Sequence, residues 1–155
     1  MKQLNPDWVK ATLTTVNSCP YFLLQSMTIT KLSFGQARLE IGLQRKHLQP
    51  FGLVHGGVFS TLIDAAGWWA AYSELDEGLG MTTVEMKLNY LAPATEGFLV
   101  GFGRTIKLGR NLGLAETRIE NEDGRLLAHG TVTVMTLPDL QMQGQDSAPA
   151  KFLMP

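Results

Sequence analysis

The chain has 155 residues, 45% of them hydrophobic and 17% charged, which is enough chain and enough apolar material for one domain with a full core. Thirteen Lys and Arg stand against fourteen Asp and Glu, for a formal net charge of -1, so there is no basic excess to form a nucleic-acid footprint. The single cysteine, Cys19, excludes an intrachain disulfide, and no apolar run reaches the ~20 residues of a membrane span.

In chain order, the opening "MKQLNPDWVK" has no apolar core of signal-peptide type, and the expectation is a soluble, cytoplasmic protein. Residues 5–17, "NPDWVKATLTTVN", read as a short helix, with Asn5 as N-cap, Pro6 in the first turn and Asp7 near the positive end. Strands are expected at 24–33 and 36–43, joined by a turn at Gly35. In the second, Ala37, Leu39, Ile41 and Leu43 alternate with Gln36, Arg38, Glu40 and Gly42. The loop "QRKHLQPFGLV" leads into a helix at 55–73. Val58, Phe59, Leu62, Ile63, Ala66, Trp69 and Ala70 make it apolar on nearly every side, the mark of a core helix.

After the glycine-containing loop at 78–80 the period changes to two. Val84, Met86, Leu88 and Tyr90 are expected on one face of a strand, and Glu85, Lys87 and Asn89 on the other. Three more strands follow at about 96–107, 112–121 and 125–137, the last two joined by the tight-turn sequence "NEDGR". Short turns between consecutive strands imply an antiparallel sheet. One sheet wrapped round one buried helix satisfies both patterns, so the expected class is α+β, a single domain over 1–137. Beyond Pro138 periodicity is lost, and 138–155 reads as a mobile tail or a partly docked arm.

The buried helix carries one acid near its middle, Asp64. An unpaired buried carboxylate is costly, so a functional role is favoured over a purely structural acceptor. Cys19 precedes Pro20 without any base signature and reads as an inert thiol. His47, His55 and His129 lack metal-ligand spacing, so no metal site is expected. "GFGRTIKLG" is not a dinucleotide fingerprint, because Ile106 stands where the third glycine would be.

The helix opens with "HGG", and Asp64 lies eight residues beyond the first of those glycines, in "VHGGVFSTLID". Together with "TTVEMKLNYLAPA" and "GRTIKLGRNLGLAETRIENEDGRLLAHGTVT", this resembles the hotdog-fold acyl-CoA thioesterases over roughly residues 25–137, nearest the phenylacetate-pathway (PaaI-like) branch. The resemblance implies a hotdog fold: an antiparallel sheet of five to six strands around one long central helix. It implies hydrolysis of an acyl-CoA, or of an acyl carrier protein thioester, by a homodimer that often pairs into a dimer of dimers. It implies no metal or organic cofactor, coenzyme A being part of the substrate.

The same resemblance assigns roles. The backbone N–H of Gly56 would form the oxyanion hole, Asp64 would be general base or nucleophile, and Gln49, seven residues before Gly56, would assist. Thr83, or alternatively Thr82, would position water. His55 and Gly57 would flank the substrate at the helix entry, Trp68 would border the acyl pocket, and Arg104, Lys107 and Arg110 would meet the phosphates of coenzyme A.

Physical chemistry supports the first of these assignments. The N-terminus of a helix presents free N–H groups and a positive dipole end, and glycine leaves them open to a carbonyl oxygen. Eight residues of helix separate Gly56 and Asp64 by about 12 Å, so one thioester cannot touch both on one chain; two chains must contribute. Two other readings are a non-catalytic acyl-CoA sensor, against which Asp64 argues, and a hotdog-fold hydratase or dehydratase. The latter needs a paired His and acid, which His55 and Asp64, nine apart on one helix, match poorly. Aromatic, short and medium acyl groups all remain open.

Overall fold

A computed structural model describes residues 2–153. Helix α1, Pro6–Asn17, begins as expected: the Asn5 side chain accepts from Asp7 N at 3.0 Å, and Pro6 occupies the first turn. The next stretch differs from expectation. Residues expected to open a strand at 24 instead complete a short helix α2, Pro20–Gln25, and strand β1 spans only Met27–Ser33. Pro20 sets the first turn of α2, and Ser26, in the left-handed conformation at φ 50, ends it.

Strands β2 (Gln36–Gly42), β3 (Gly80–Tyr90), β4 (Phe98–Leu108), β5 (Leu112–Asn121) and β6 (Leu126–Leu137) complete one six-stranded sheet in the order β1-β2-β4-β5-β6-β3, antiparallel throughout. The long helix α3, Gly56–Glu74, lies in the concave face of this sheet, with Leu62, Ile63, Ala66 and Ala70 fully buried. Close approach is possible because β4 carries glycine where the helix touches it: a Cβ on Gly103 would stand 2.0 Å from Ala66 O. This is the α+β hotdog arrangement, a sheet wrapped round a central helix.

The edge strand β3 departs from simple alternation. A bulge between Thr83 and Glu85 interrupts its pairing with β6. Before the bulge Thr83 stands opposite buried Val134; after it Met86 stands opposite buried Val132. Thr83, Met86, Leu88 and Tyr90 therefore share the helix-facing side, while Val84, expected there, sits in the bulge and is 50% exposed. One extra residue switches the parity, and the bulge exchanges a valine for a threonine beside the helix.

The C-terminal segment, read from sequence as a mobile tail or a partly docked arm, touches the domain near its end. Leu4 and Phe152 form an antiparallel bridge, and Asn5 N donates to Lys151 O at 2.9 Å. Lys151 is buried, and its ammonium donates to the last carbonyls of α3, Leu75 O at 2.6 Å and Tyr72 O, within 4.2 Å of the Tyr72 ring centroid. Cationic charge at a helix C-terminus satisfies carbonyls the helix leaves unpaired.

Candidate active site

Both ends of the candidate machinery lie on α3. At its N-terminus His55 is the cap: its Nδ1 accepts from Gly57 N at 2.8 Å. The adjacent Gly56 N–H has no acceptor among the described residues, so it is a free donor at the positive end of the helix. Tyr90, on the inner side of β3, donates its hydroxyl to Gly56 O at 3.3 Å. A Cβ on Gly56 would meet Tyr90 Oη at 2.9 Å, so any larger residue there displaces the Tyr90 hydroxyl.

Gln49, Gly56, Phe59 and Tyr90 surround a cavity of about 460 Å³. The side-chain oxygen of Gln49 is turned into its own loop, where it accepts from Phe51 N. It thus lines the same cavity as Gly56, with its carbonyl already occupied.

Two turns further along α3, Asp64 is half-buried, and Thr83 Oγ1 donates to its Oδ1 at 2.8 Å. Asp64, Thr82, Thr83 and Trp68 line a second cavity of about 500 Å³, roofed in part by Tyr21 and Phe22 of α2. Tyr21 Oη lies 2.8 Å from Thr61 Oγ1, which fixes α2 over this face of α3. The Trp68 ring stacks on Tyr72 with centroids 4.7 Å apart and planes 15° from parallel. Gly56 and Asp64 face different cavities of the same chain, in keeping with the helical spacing between them.

The basic residues expected to meet phosphate do not converge on either cavity. Arg104 projects from the outer side of β4, opposite the helix-facing Gly103, and its Nε donates to Glu116 at 3.0 Å. The Arg104 guanidinium holds the Glu116 carboxyl below its usual range. Lys107 and Arg110 are exposed at the end of β4 and in the turn that follows, without ion pairs among the described residues. The buried His47 is structural: its Nδ1 accepts from Gln44 N at 2.9 Å, and its Nε2 lies 2.9 Å from Gln25 O.

Two residues of the site escaped the sequence reading. Tyr90 carried a usable signal, since it ends the inner face of β3 three residues before Pro93. Tyr21 carried none, because α2 is too short to show a period.

A sequence profile described as the thioesterase superfamily matches residues 51–128, a span that contains Gly56, Asp64 and Thr83. The chain is 30% identical over 96 residues to the proofreading thioesterase EntH of Klebsiella pneumoniae, covering 62% of this chain and 70% of that protein. It is 26% identical over 113 residues to acyl-coenzyme A thioesterase 13 of Mus musculus, covering 72% and 80% respectively. Among solved structures, a thioesterase family protein from Silicibacter pomeroyi superposes with a TM-score of 0.76 at 30% identity, over 84% of this chain and 98% of that one. Among the described residues, no helix is long and apolar enough to cross a membrane.

Proposed function

We propose, from the premise that this chain belongs to the thioesterase superfamily, that it hydrolyses acyl-CoA thioesters at a site shared by two copies of the chain. The carrying observation is the pairing of Asp64 with Thr83 on a cavity wall, on a helix whose other end offers a free glycine N–H.

The chemistry follows from the geometry. The thioester carbonyl oxygen accepts from Gly56 N–H of one protomer, where the helix dipole favours developing negative charge. Thr83 occupies Asp64 Oδ1, and the second carboxylate oxygen takes a proton from water. That water oxygen attacks the carbonyl carbon. The tetrahedral oxyanion then collapses, the carbon–sulfur bond breaks, and the thiolate of coenzyme A takes up the proton held by Asp64. Gln49 and Tyr90 border the carbonyl end, Trp68 and Thr82 the acyl end. Gly57 supplies the N–H that the His55 cap consumes, so both act by shaping the turn. No metal or organic cofactor enters this scheme.

The two-chain arrangement is supported by the sheet. Strand β3 ends it, paired on one side only, to β6. An unpaired edge of eleven residues, Gly80–Tyr90, is a template for a second copy. Antiparallel pairing there would set two α3 helices side by side in opposite directions, Gly56 of each beside Asp64 of the other. Further pairing of dimers into tetramers is compatible with this edge-to-edge unit. The exposed Lys107 and Arg110 remain available to phosphate from such a dimer, whereas Arg104 is engaged by Glu116.

The test is release of free thiol from acyl-CoAs, followed with a thiol-reactive dye in wild type and Asp64→Asn. Turnover that requires Asp64 supports the reading. A protein that binds acyl-CoA without turnover would be a sensor. Conversion of an enoyl-CoA would instead favour a hydratase, against which the capping role of His55 argues.

A further inference from the structure

Beside the Asp64 cavity lies a second, apolar chamber of about 380 Å³ that the scheme above leaves unused. Its walls come from five parts of the chain: Val16 and Cys19 around the end of α1, Phe22 of α2, Trp69 and Tyr72 of α3, Gly80 at the start of β3, and Leu140–Gln143 of the docked arm. Phe22, Trp68, Trp69 and Met81 line both the chamber and the Asp64 cavity. The two spaces are therefore neighbours, separated by the aromatic pair Trp68 and Trp69, whose ring centroids are 4.9 Å apart.

The arm is positioned to be a wall. Leu140 O passes so near Gly80 that a Cβ there would stand 2.1 Å from it, an approach only glycine permits. Gln141 donates its amide to Gly78 O, and Met142 N donates to Gln145 Oε1 at 3.0 Å. The anchored Lys151 holds the far end of the arm against α3.

We propose that this chamber receives the distal part of a medium-length apolar acyl chain whose thioester lies at Asp64, and that Leu140 and Met142 of the arm set the length accepted. The inference rests on the thioesterase reading and names its substrate class. A short acyl group ends in the Asp64 cavity and leaves apolar walls facing water. A longer chain passes Trp68 and Trp69 and buries its methylenes against Val16, Phe22, Tyr72 and Met142. Such burial raises kcat/KM by about fourfold per methylene until the chamber is full.

The experiment measures kcat/KM for straight-chain esters from butyryl- to tetradecanoyl-CoA in wild type, Met142→Trp and Cys19→Phe, the last two filling the chamber from opposite sides. In parallel, decanoate is titrated against each protein and tryptophan fluorescence is read. A rise with chain length in wild type, with a decanoyl-to-butyryl ratio at least about tenfold lower in both variants, supports the proposal. Turnover with no length preference, or with a preference the variants do not change, overturns the chamber and leaves the thioesterase reading standing. Absence of any thioester turnover, with decanoate still perturbing wild-type but not variant fluorescence, overturns the hydrolytic reading and leaves the chamber standing. Absence of both overturns both.

Discussion

Thr83 donates its hydroxyl to Asp64 across 2.8 Å, from an edge strand to the central helix, and a bulge one residue later makes this possible. Simple alternation from Met86 would have turned Thr83 outward. If Asp64 is the base, Asp64→Asn lowers kcat by about a hundredfold to ten-thousandfold, the usual worth of general base catalysis. Thr83→Ala lowers kcat by about tenfold or more, as a hydrogen bond to a charged group is lost, while Thr83→Ser retains most of the rate. Steady-state thiol release checks all three; a Thr83→Ala rate equal to wild type would remove the hydroxyl from the mechanism.

Gly56→Ala is expected to fold and to fail. The added methyl would meet Tyr90 Oη at 2.9 Å, but Tyr90 is 58% exposed and can swing away, so stability changes by no more than about 1 kcal/mol. The methyl and the displaced phenol then crowd the place where the carbonyl must approach the free N–H. Misplacement of this size costs about a hundredfold in kcat/KM. Circular dichroism melts and kinetics on the same preparation separate the two effects.

The burial of Lys151 predicts a pH dependence of stability. Burial pulls its ammonium down to about 7 from the ordinary 10.5, in spite of nearby Asp76 and Glu77, with Lys2 acting in the same direction as burial. Below pH 7 both folded and unfolded chains hold the proton, and the buried charge opposes folding. Between about 7 and 10.5 the unfolded chain binds more protons than the folded one, so the contribution of this group to stability rises with pH across that window. The gain is of the order of a few kcal/mol. Measured as the stability of wild type minus that of Lys151→Met, the difference should grow from pH 7 to 9; a flat difference would contradict the assignment.

A docked arm also predicts a local effect at Gly80. Gly80→Ala drives a methyl into Leu140 O, and either the arm or the start of β3 must shift, at a cost of about 1–3 kcal/mol. Limited proteolysis should then cut within 138–150 faster than in wild type; an unchanged cleavage rate would contradict the close packing of Leu140 on Gly80.

The fold was legible wherever the pattern was long. α3 shows an apolar surface over five turns, β2 and β5 alternate along most of their length, and β6 alternates from Ala128 to Met135, so their bounds could be read within a residue or so. Legibility failed where one or two residues decide the outcome. α2 is a six-residue helix set by Pro20 and Ser26, too short for periodicity. The bulge at Val84 leaves no compositional trace, because valine suits a strand on either face. The docked arm is held by single contacts of Lys151 and Asn5 with distant segments, which no local pattern encodes. At the site, Asp64 stood out because a lone acid in an apolar helix is conspicuous. The ion pair of Arg104 was not legible, because its partner Glu116 lies on the next strand and pairing across strands is invisible until the register is known.

The central claim is that Gly56 of one chain and Asp64 of another serve the same thioester. Subunit mixing tests it: Gly56→Ala and Asp64→Asn proteins, each with little activity alone, are unfolded together and refolded. If the site is shared, a hybrid dimer has one site carrying both substitutions and one carrying neither. Random mixing then restores about a quarter of wild-type activity. Hybrids no more active than their parents would show that each chain works alone, and would contradict the account.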